Sequence, residues 1–292
     1  MLLVTGITGL TGRFLYELLI KDGLTARFLV RETGSYKELQ KADSAHFVTG
    51  DVSKAADIAA VLDNVDTVIH LVNIRYSPQI IEACKMRNIK RVIFVNTTSV
   101  YSKYQRAAGK YKELEANILS SGLDYTVIRP TMIYENGQDK NIHKLIKLAD
   151  RLPVFPIVGK GNHLMQPIYA GDAAWAIYKA YKKGETSLGK CYNIAGKEPL
   201  SYLELIKEIG AALGKNLRLI HVPYGIALAI GRLGDLIPNG LITYEKIQRL
   251  AEDKFFDYSD AARDLDFAPM SFAEGVRREV ASLKEAGIIG KS

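Results

Sequence analysis

A glycine-rich stretch near the start of the chain constrains the fold more than any other feature. Residues 5–12 read Thr-Gly-Ile-Thr-Gly-Leu-Thr-Gly, between an apolar run at Leu2–Thr5 and an amphipathic stretch at Leu10–Lys21. A glycine turn that follows a strand and opens a helix lets backbone amides approach a pyrophosphate closely. The order of these segments therefore predicts a dinucleotide-binding unit at the start of the chain.

The three glycines of this turn have different expected roles. Gly6 permits the tight turn, Gly9 lets the backbone approach the pyrophosphate, and Gly12 permits close packing of the helix on the sheet. The free amides of the helix start and the positive end of its dipole favour a phosphate. The predicted phosphate-binding residues are Thr5, Gly6, Thr8, Gly9, Leu10, Thr11 and Gly12.

The rest of the first half alternates short apolar runs with amphipathic segments. The apolar runs are Ala26–Val30, His46–Val48, Thr67–Leu71, Val92–Val95 and Tyr125–Ile128. Strands that are apolar along their whole length are typical of parallel sheets covered by helices on both faces. With right-handed crossovers, the predicted fold class is α/β, a doubly wound parallel sheet of the Rossmann type.

After Pro130 the pattern changes and helical spacing dominates. Helices are predicted over Ile142–Ala149, Ala173–Tyr181, Leu203–Leu213 and Phe272–Leu283, and short strands near Leu164–Tyr169, Cys191–Ile194 and Leu217–His221. We therefore expect a dinucleotide-binding domain at residues 1–155. A smaller, mainly helical substrate lobe should follow at residues 156–292 and return some elements to the first lobe.

The end of the second predicted strand bears on the choice between NADP and NAD. NAD-selective sites usually carry an acid there that binds the ribose 2′-hydroxyl. This chain has Val30-Arg31-Glu32, and the Arg31 guanidinium is suited to bidentate bonds with a 2′-phosphate. Because Glu32 can also reach a ribose hydroxyl, we expect NADP and keep NAD as the alternative.

Composition limits the remaining classes of function. The formal net charge is +7, but basic and acidic residues are mostly interspersed, so we expect no nucleic-acid partner. No apolar run reaches the roughly 20 residues that span a bilayer, so we expect no membrane partner. Cys84 and Cys191 lie far apart without a metal-ligand pattern, which favours a cytoplasmic protein with neither a disulfide nor a bound metal.

Later segments extend the pattern of the glycine turn along nearly the whole chain. They are Gly50-Asp51-Val52, Val68–Val72, Phe94–Tyr101, Tyr125–Tyr134, Gln166–Tyr169 with Asp172-Ala173-Ala174, and Tyr192–Gly196. In this order they resemble the extended and atypical short-chain dehydrogenases/reductases, a family that includes the NAD-dependent epimerase/dehydratases. The resemblance implies that further cofactor contacts come from Asp51, Val52, Leu71, Val72, Pro130 and Met132. For Asp51, capping of the next helix is an equal alternative.

The resemblance also implies a catalytic tyrosine four residues before a lysine on one helix. That lysine lowers the pKa of the tyrosine and holds the nicotinamide ribose, and the tyrosine acts as general acid/base. Thr97 suits the family's substrate-orienting hydroxyl, but no register of the relevant helix supplies the pair: Tyr111 falls at the lysine place and Ala107 at the tyrosine place. The one matching pair, Tyr178 and Lys182, lies in the second half and is interpreted as a chance match.

Two hypotheses follow from the missing pair. In the first, the chain is an NAD(P)-dependent oxidoreductase or epimerase/dehydratase acting on a small carbonyl or a sugar nucleotide. Tyr101, Tyr104 or Tyr111 then replaces the tyrosine, and Lys110 or Lys112 holds the ribose. In the second, the chain binds NADP(H) without catalysis, as a regulatory or assembly protein. A homodimer is compatible with either hypothesis.

Overall fold

The computed structural model describes residues 1–32, 36–39, 43–139, 141–236 and 243–290. Its strands are β1 (Leu2–Thr5), β2 (Ala26–Val30), β3 (Ala45–Thr49), β4 (Thr67–His70), β5 (Arg91–Val95), β6 (Asp124–Pro130), β7 (Ile133–Tyr134), β8 (Val154–Val158), β9 (Leu164–Met165), β10 (Ile168–Tyr169), β11 (Lys190–Ile194), β12 (Leu200–Ser201) and β13 (Arg218–Val222). Its α-helices are α1 (Leu10–Lys21), α2 (Ala55–Ala60), α3 (Ser77–Met86), α4 (Ala108–Leu119), α5 (Ile142–Arg151), α6 (Ala170–Lys182), α7 (Tyr202–Leu213), α8 (Tyr224–Gly234), α9 (Tyr244–Leu250), α10 (Ser259–Leu265) and α11 (Phe272–Glu285).

Seven strands form one parallel sheet in the order β11-β6-β5-β4-β1-β2-β3. The chain winds outward from β1 in both directions, so the strand order reverses between β1 and β4. Ligands of such sheets bind in the crevice beyond the carboxyl ends of the strands at this reversal. The expected doubly wound parallel sheet is confirmed.

Two apolar cores cover the faces of this sheet. On one face, α1, α6 and α10 pack over residues such as Val4, Phe28 and Ile128. On the other, α2, α3 and α4 pack over residues such as Val68, Val92 and Phe94. Because both faces are buried, the strands need apolar side chains at nearly every position, which explains the unbroken apolar runs in the sequence.

A third core belongs to the C-terminal lobe. It joins α5, α7 and α11 to the two-stranded sheet of β8 and β13. The second half of the chain also places α6, α10 and β11 against the main sheet. The predicted boundary at residue 155 therefore divides the sequence, but elements from both sides of it pack together in one core.

Two elements of this lobe went against local sequence rules. Strand β8 contains Pro156, which argues against a strand. Among the described residues β8 pairs with β13 alone, and a proline is tolerated in such a two-stranded sheet. Helix α8 contains three glycines, which lower helix propensity. One of them, Gly231, lies so close to α9 that an added Cβ would be 3.0 Å from the Tyr244 nitrogen, so close packing compensates for the weak propensity.

Candidate functional site

The glycine loop ends β1 and leads into α1 with unpaired amides. Gly9 is the N-cap of α1, and no side chain of the described residues caps this helix. The first intrahelical bond runs from the Arg13 nitrogen to the Gly9 oxygen at 3.1 Å. The amides of Leu10, Thr11 and Gly12 precede that bond and so have no acceptor within the helix. They form the donor set that a pyrophosphate requires.

The loop is also shaped so that only glycine fits at two positions. A Cβ at Gly12 would lie 2.4 Å from the Gly6 oxygen and 2.5 Å from the Ile7 oxygen, both of which belong to the backbone. Gly6 has a φ of +84°, and a Cβ there would lie 3.0 Å from the Val72 nitrogen. At Gly9, within the described residues, a Cβ would meet only the Gly6 oxygen, at 3.4 Å, so the loop is open on that side. The residues present fit a dinucleotide.

The neighbouring strand β4 supports the loop through a buried polar contact. Thr5 Oγ1 lies 2.8 Å from His70 Nδ1, and both side chains are fully buried. Burial lowers the pKa of His70 to about 4, so the ring is neutral at physiological pH. His70 is therefore a structural partner of β1, and the Thr5 hydroxyl is directed at the His70 ring. Leu71 and Val72 follow directly and pass against Gly6.

At the far side of the crevice, Arg31 and Asp51 lie at the ends of neighbouring strands. Arg31 is exposed just after β2. Asp51 accepts a bond from the Ser53 nitrogen at 2.9 Å, which lowers the pKa of Asp51; the Lys54 and Arg31 charges lower it further. Asp51 thus caps the turn before α2, whose own N-cap is Lys54. Val52 packs against the core beneath that turn.

The nicotinamide side of the crevice is expected at the ends of β5 and β6. Thr97 follows β5, and its Oγ1 accepts from the Ser99 nitrogen and donates to Ser99 Oγ, both at 3.2 Å. Thr98 Oγ1 donates to the Pro130 oxygen at 3.3 Å, which joins this turn to the end of β6. Met132 then pairs with β10 through a bond from the Ile168 nitrogen. Thr97, Pro130 and Met132 are therefore neighbouring parts of one edge.

The residues of α4 that were predicted to act in catalysis lie at the helix surface or against the core beside it. Lys112 is exposed on the helix, and Tyr111 is half-buried against the core beside α4. Lys110 is also exposed and pairs with Glu113 at 2.8 Å. The distant pair Tyr178 and Lys182 lies at the surface of α6, where Lys182 Nζ binds Asp22 at 2.8 Å.

A buried ion pair underlies the turn that follows β5. Arg129 Nε and its terminal nitrogen bind the two Glu115 oxygens at 2.9 Å and 2.5 Å. Asn96 Nδ2 donates to the same carboxylate at 2.7 Å, so the buried charges are paired and hydrogen-bonded. The Arg129 guanidinium lies 5.7 Å from the centre of the Tyr101 ring, which this pair helps to position.

A small cleft opens beside this turn, against a segment that the sequence did not single out. Its lining includes Ser99, Tyr101, Arg249, Lys254 and Phe256. Ser102 Oγ donates to Glu252 Oε2 at 2.7 Å, and the Lys103 nitrogen donates to Glu252 Oε1 at 2.6 Å. These bonds tie the turn to residues 249–256, a segment without a recognisable motif. The cleft residues of that segment were missed because nothing local in the sequence marks them.

Two residues of the segments that carry the family resemblance are buried in supporting positions. Tyr134 is 1% exposed and lies within the aromatic contacts of the third core, so it faces away from the cleft. Gln166 is buried, where its amide nitrogen donates to the Gly196 oxygen and its Oε1 accepts from the Phe256 nitrogen. Gln166 thus positions the segment that closes the cleft.

The parallel sheet and the open glycine loop define a dinucleotide-binding protein of the Rossmann type. A family model described as NAD(P)H-binding matches residues 6–151, half of the chain, and the chain belongs to that family. The resemblance to extended short-chain dehydrogenases/reductases is confirmed, and NAD(P) is the cofactor class.

Two curated relatives and one solved structure show the range of this similarity. The chain is 25% identical to a 2-alkyl-3-oxoalkanoate reductase of Shewanella oneidensis, covering 96% of this chain and 85% of the relative. It is 22% identical to the N-acetyl-alpha-D-glucosaminyl-diphospho-ditrans,octacis-undecaprenol 4-epimerase of Escherichia coli O157:H7, covering 94% and 93%. A UDP-glucuronic acid 4-epimerase from Bacillus cereus, solved with UDP-glucuronic acid and NAD, has the same fold, with a TM-score of 0.75 at 20% identity and coverage of 98% and 99%.

Two classes of feature are absent from the described part of the chain. Within it, none of the helices combines the length and the apolar character needed to cross a bilayer. The same residues include no group of three or more metal-binding side chains.

Proposed function

We propose that this chain is an NAD(P)H-dependent reductase of a small carbonyl compound that carries a carboxylate, such as a 3-oxo acid. The observation that carries the proposal is a small cleft in the turn that follows Thr97. Hydroxyl groups line it, together with two cations and two acids: Arg249, Lys254, Glu252 and Asp253. Glu252 already accepts bonds from Ser102 and Lys103, and Asp253 accepts one from the Leu164 nitrogen. The hydroxyl groups and the two cations are therefore the groups we propose for a carbonyl oxygen and a carboxylate. The reductase from Shewanella oneidensis is named for a substrate of this kind.

The proposed division of labour follows the edge of the sheet. Bound NAD(P)H supplies a hydride to the carbonyl carbon. The buried Thr5 supports the loop through its contact with His70. The residues proposed to hold the cofactor are Gly6, Thr8, Gly9, Leu10, Thr11, Gly12, Arg31, Asp51, Val52, Leu71, Val72, Pro130 and Met132. Thr97 and the neighbouring Ser99 orient the substrate oxygen, and Tyr101 forms one wall of the cleft. Tyr111 and Lys112 lie further along α4 and are proposed only as supports of the nicotinamide ribose.

NADP is proposed as the preferred form of the cofactor. Arg31 is exposed at the end of β2, on the side where the adenosine ribose is expected, and its charge is within reach of Asp51. A guanidinium there favours a 2′-phosphate over a hydroxyl. Glu32, also exposed, keeps NAD as the alternative.

A second candidate function is cofactor binding without turnover, in a regulatory or assembly role. The absence of the tyrosine–lysine pair favours it, because Ala107 is the N-cap of α4 and Tyr111 stands where the lysine would be. We also infer a cytoplasmic protein, since Cys84 and Cys191 are both free thiols. A homodimer remains a prediction.

The test measures turnover of a panel of substrates through the absorbance of the reduced cofactor. Purified protein with NADPH or NADH is offered 3-oxo acids, simple ketones without a carboxylate, and sugar nucleotides. We expect turnover with 3-oxo acids and little with the ketones. Tight cofactor binding without turnover of any compound would favour the second candidate, and turnover of sugar nucleotides alone would contradict the proposed substrate class.

A further inference from the structure

Lys254 lies in the segment that closes the cleft, and its backbone is held on both sides. The Lys254 nitrogen donates to the Leu164 oxygen at 2.7 Å, next to a bridge between Met165 and Lys254. Two residues later, the Phe256 nitrogen donates to Gln166 Oε1 at 2.9 Å. The Phe256 ring lies 5.6 Å from the Tyr101 ring, across the cleft. The position of Lys254 is therefore determined by β9 and by the turn after β5.

The Lys254 side chain reaches into the lining of the cleft. Its Nζ donates to the Arg249 carbonyl oxygen at the end of α9, and the side chain lines the same cleft as Ser99 and Tyr101. An ammonium has three donors, so this one bond leaves further donors available for a ligand. Lys254 is thus a cationic donor in the same cleft as the hydroxyl groups that follow β5.

The nearby carboxylates do not neutralise this ammonium by direct pairing. Glu252 is bound by Ser102 and Lys103, and Asp253 accepts from the Leu164 nitrogen at 2.8 Å and lies 3.3 Å from His163 Nδ1. Burial lowers the pKa of Lys254 to about 8, and the Arg249 charge lowers it further, against the opposing charges of Glu252 and Asp253. At physiological pH the group is therefore able to give up a proton and regain it.

Arg249 adds a second donor that lacks a partner. Its Nε is buried and has no hydrogen-bond partner among the described residues. A buried guanidinium nitrogen left unpaired is unfavourable unless a ligand satisfies it. Because the guanidinium binds carboxylates through paired N–H groups, the unpaired Nε indicates an anionic substituent on the ligand.

We infer that Lys254 is the proton donor of the reaction, in the role that the family's tyrosine usually fills, and that Arg249 binds the substrate carboxylate. This inference rests on the proposed reductase function. It is carried by the cleft that joins both cations to the hydroxyl groups after β5. It also explains how the chain can lack the tyrosine–lysine pair and still have a proton donor at the edge of the sheet.

The chemical step balances with the groups named. The carbonyl carbon gains the hydride from the reduced cofactor while the Lys254 Nζ–H bond breaks and its proton passes to the carbonyl oxygen. The C=O double bond becomes a C–O single bond as the new C–H and O–H bonds form. The substrate becomes a 3-hydroxy acid, and the cofactor is oxidised. Lys254 is left as a neutral amine and regains a proton from water.

A purely structural role is the alternative for Lys254, because a lysine that binds a helix-end carbonyl stabilises the helix. Two variants separate the roles. Lys254→Arg keeps a cation that can bind the Arg249 oxygen, but a guanidinium does not release its proton near neutral pH. Lys254→Met removes both functions and keeps the length of the side chain. Lys207→Met, an exposed lysine on α7, is the control.

The first measurement is the pH dependence of turnover with NADPH and a 3-oxo acid. In the unchanged protein, kcat should fall about tenfold per pH unit above pH 8, as the donor loses its proton. Both Lys254 variants should lose about 100-fold or more in kcat, with NADPH affinity and melting temperature near those of the control. In Lys254→Arg this decline above pH 8 should disappear. If Lys254→Arg keeps kcat within threefold with the same pH profile, Lys254 is not the proton donor.

The second measurement needs no turnover and separates the failure of the inference from that of the proposed function. Trace acetylation from pH 6 to 10, read by peptide mass spectrometry, reports the titration of each lysine. Lys254 should titrate near pH 8, and NADP⁺ with 3-hydroxybutanoate should protect it but not Lys207. Protection in a protein that turns over no 3-oxo acid would keep Lys254 in a ligand site and overturn only the proposed reaction. Absence of protection would overturn the inference.

Discussion

The two ends of the ligand crevice are formed by different parts of the polypeptide, the backbone at one end and side chains at the other. At the end of β1, the glycine loop is made of backbone: free amides at the start of α1 and positions where a Cβ would collide with carbonyl oxygens. At the end of β5, the cleft is made of side chains from distant parts of the chain, joined by bonds such as that between Ser102 and Glu252. The first end depends on local geometry, and the second depends on the packing of the whole molecule.

This difference predicts how each end responds to substitution. The backbone end should tolerate changes of side-chain chemistry and fail when a single methyl group is added. The side-chain end should tolerate changes of local sequence and fail when a buried charge loses its partner. Four substitutions, ordered from the largest expected effect to the smallest, test this comparison.

Gly12→Ala should have the largest effect. Its Cβ would lie 2.4 Å and 2.5 Å from two backbone oxygens that cannot move independently, so we expect a loss of about 3 kcal/mol or more in the free energy of unfolding. NADPH binding should be lost as well. Thermal unfolding and titration calorimetry measure both.

The control for that change is Gly109→Ala, on the first turn of α4. A Cβ at Gly109 has no neighbour within 4 Å among the described residues, so alanine should raise stability by about 0.5 kcal/mol. If the Gly12→Ala variant bound NADPH normally and kept its melting temperature, the loop would not depend on the absence of a Cβ at this position.

Glu115→Gln should act on the other end. Arg129 would lose its charged partner while its side chain stays only 11% exposed, and we expect a loss of about 3 kcal/mol in the free energy of unfolding. Because Arg129 lies against Tyr101, turnover should fall more than NADPH binding. Urea denaturation and steady-state kinetics measure these effects.

Glu113→Gln is the matched control for Glu115. Glu113 pairs with Lys110 at the surface, where an ion pair contributes little, so the change should cost less than about 0.5 kcal/mol. Equal losses from both substitutions would mean that the buried network does not support the cleft.

Arg31→Ala should change selectivity and leave stability unaltered. If Arg31 binds the 2′-phosphate, NADPH affinity should fall at least tenfold, about 1.5 kcal/mol, with NADH affinity little changed. Calorimetry with each cofactor is the measurement, and Arg277→Ala on the exposed side of α11 is the control. A parallel loss for both cofactors would refute a role in selecting NADP.

Glu279→Gln should have the smallest effect at pH 5 and the clearest pH dependence. Burial, with the nearby charges of Asp139 and Glu135, raises the pKa of Glu279 far above its usual range, so the folded protein keeps this proton while the unfolded chain loses it above about pH 4.5. The stability of the unchanged protein therefore falls as pH rises above that value.

Glutamine does not titrate, so the variant should gain about 1.4 kcal/mol relative to the unchanged protein for each pH unit between pH 5 and pH 8. Unfolding curves at both pH values measure the gain, with the exposed Glu285→Gln as control. Since Glu279 lies in the third core, NADPH binding should stay the same at either pH. A stability difference independent of pH would show that Glu279 is ionised in the folded protein.

Several elements could be predicted from the sequence because their causes are local. Strand β4 is apolar because both faces of the sheet are covered. Val68 and Ile69, which are fully buried, show this requirement directly in the sequence. Helix α8 could not be predicted, because its glycines argue against a helix until Gly231 packs on α9. The same holds for the site. The glycine turn could be predicted from its local sequence, but no local motif identifies Arg249 or Lys254 as site residues.

The amino-acid sequence by itself determined the parallel sheet and the phosphate-binding loop, because apolar runs and glycine spacing act through steric effects within a few residues. Only the tertiary structure decided which side chains stand at the reacting end. Ser102 and Glu252 meet across 150 positions of the chain, and burial together with the nearby Arg249 charge lowers the pKa of Lys254 to about 8. Burial and long-range contact are properties of the folded molecule, so the chemistry that depends on them appears only there.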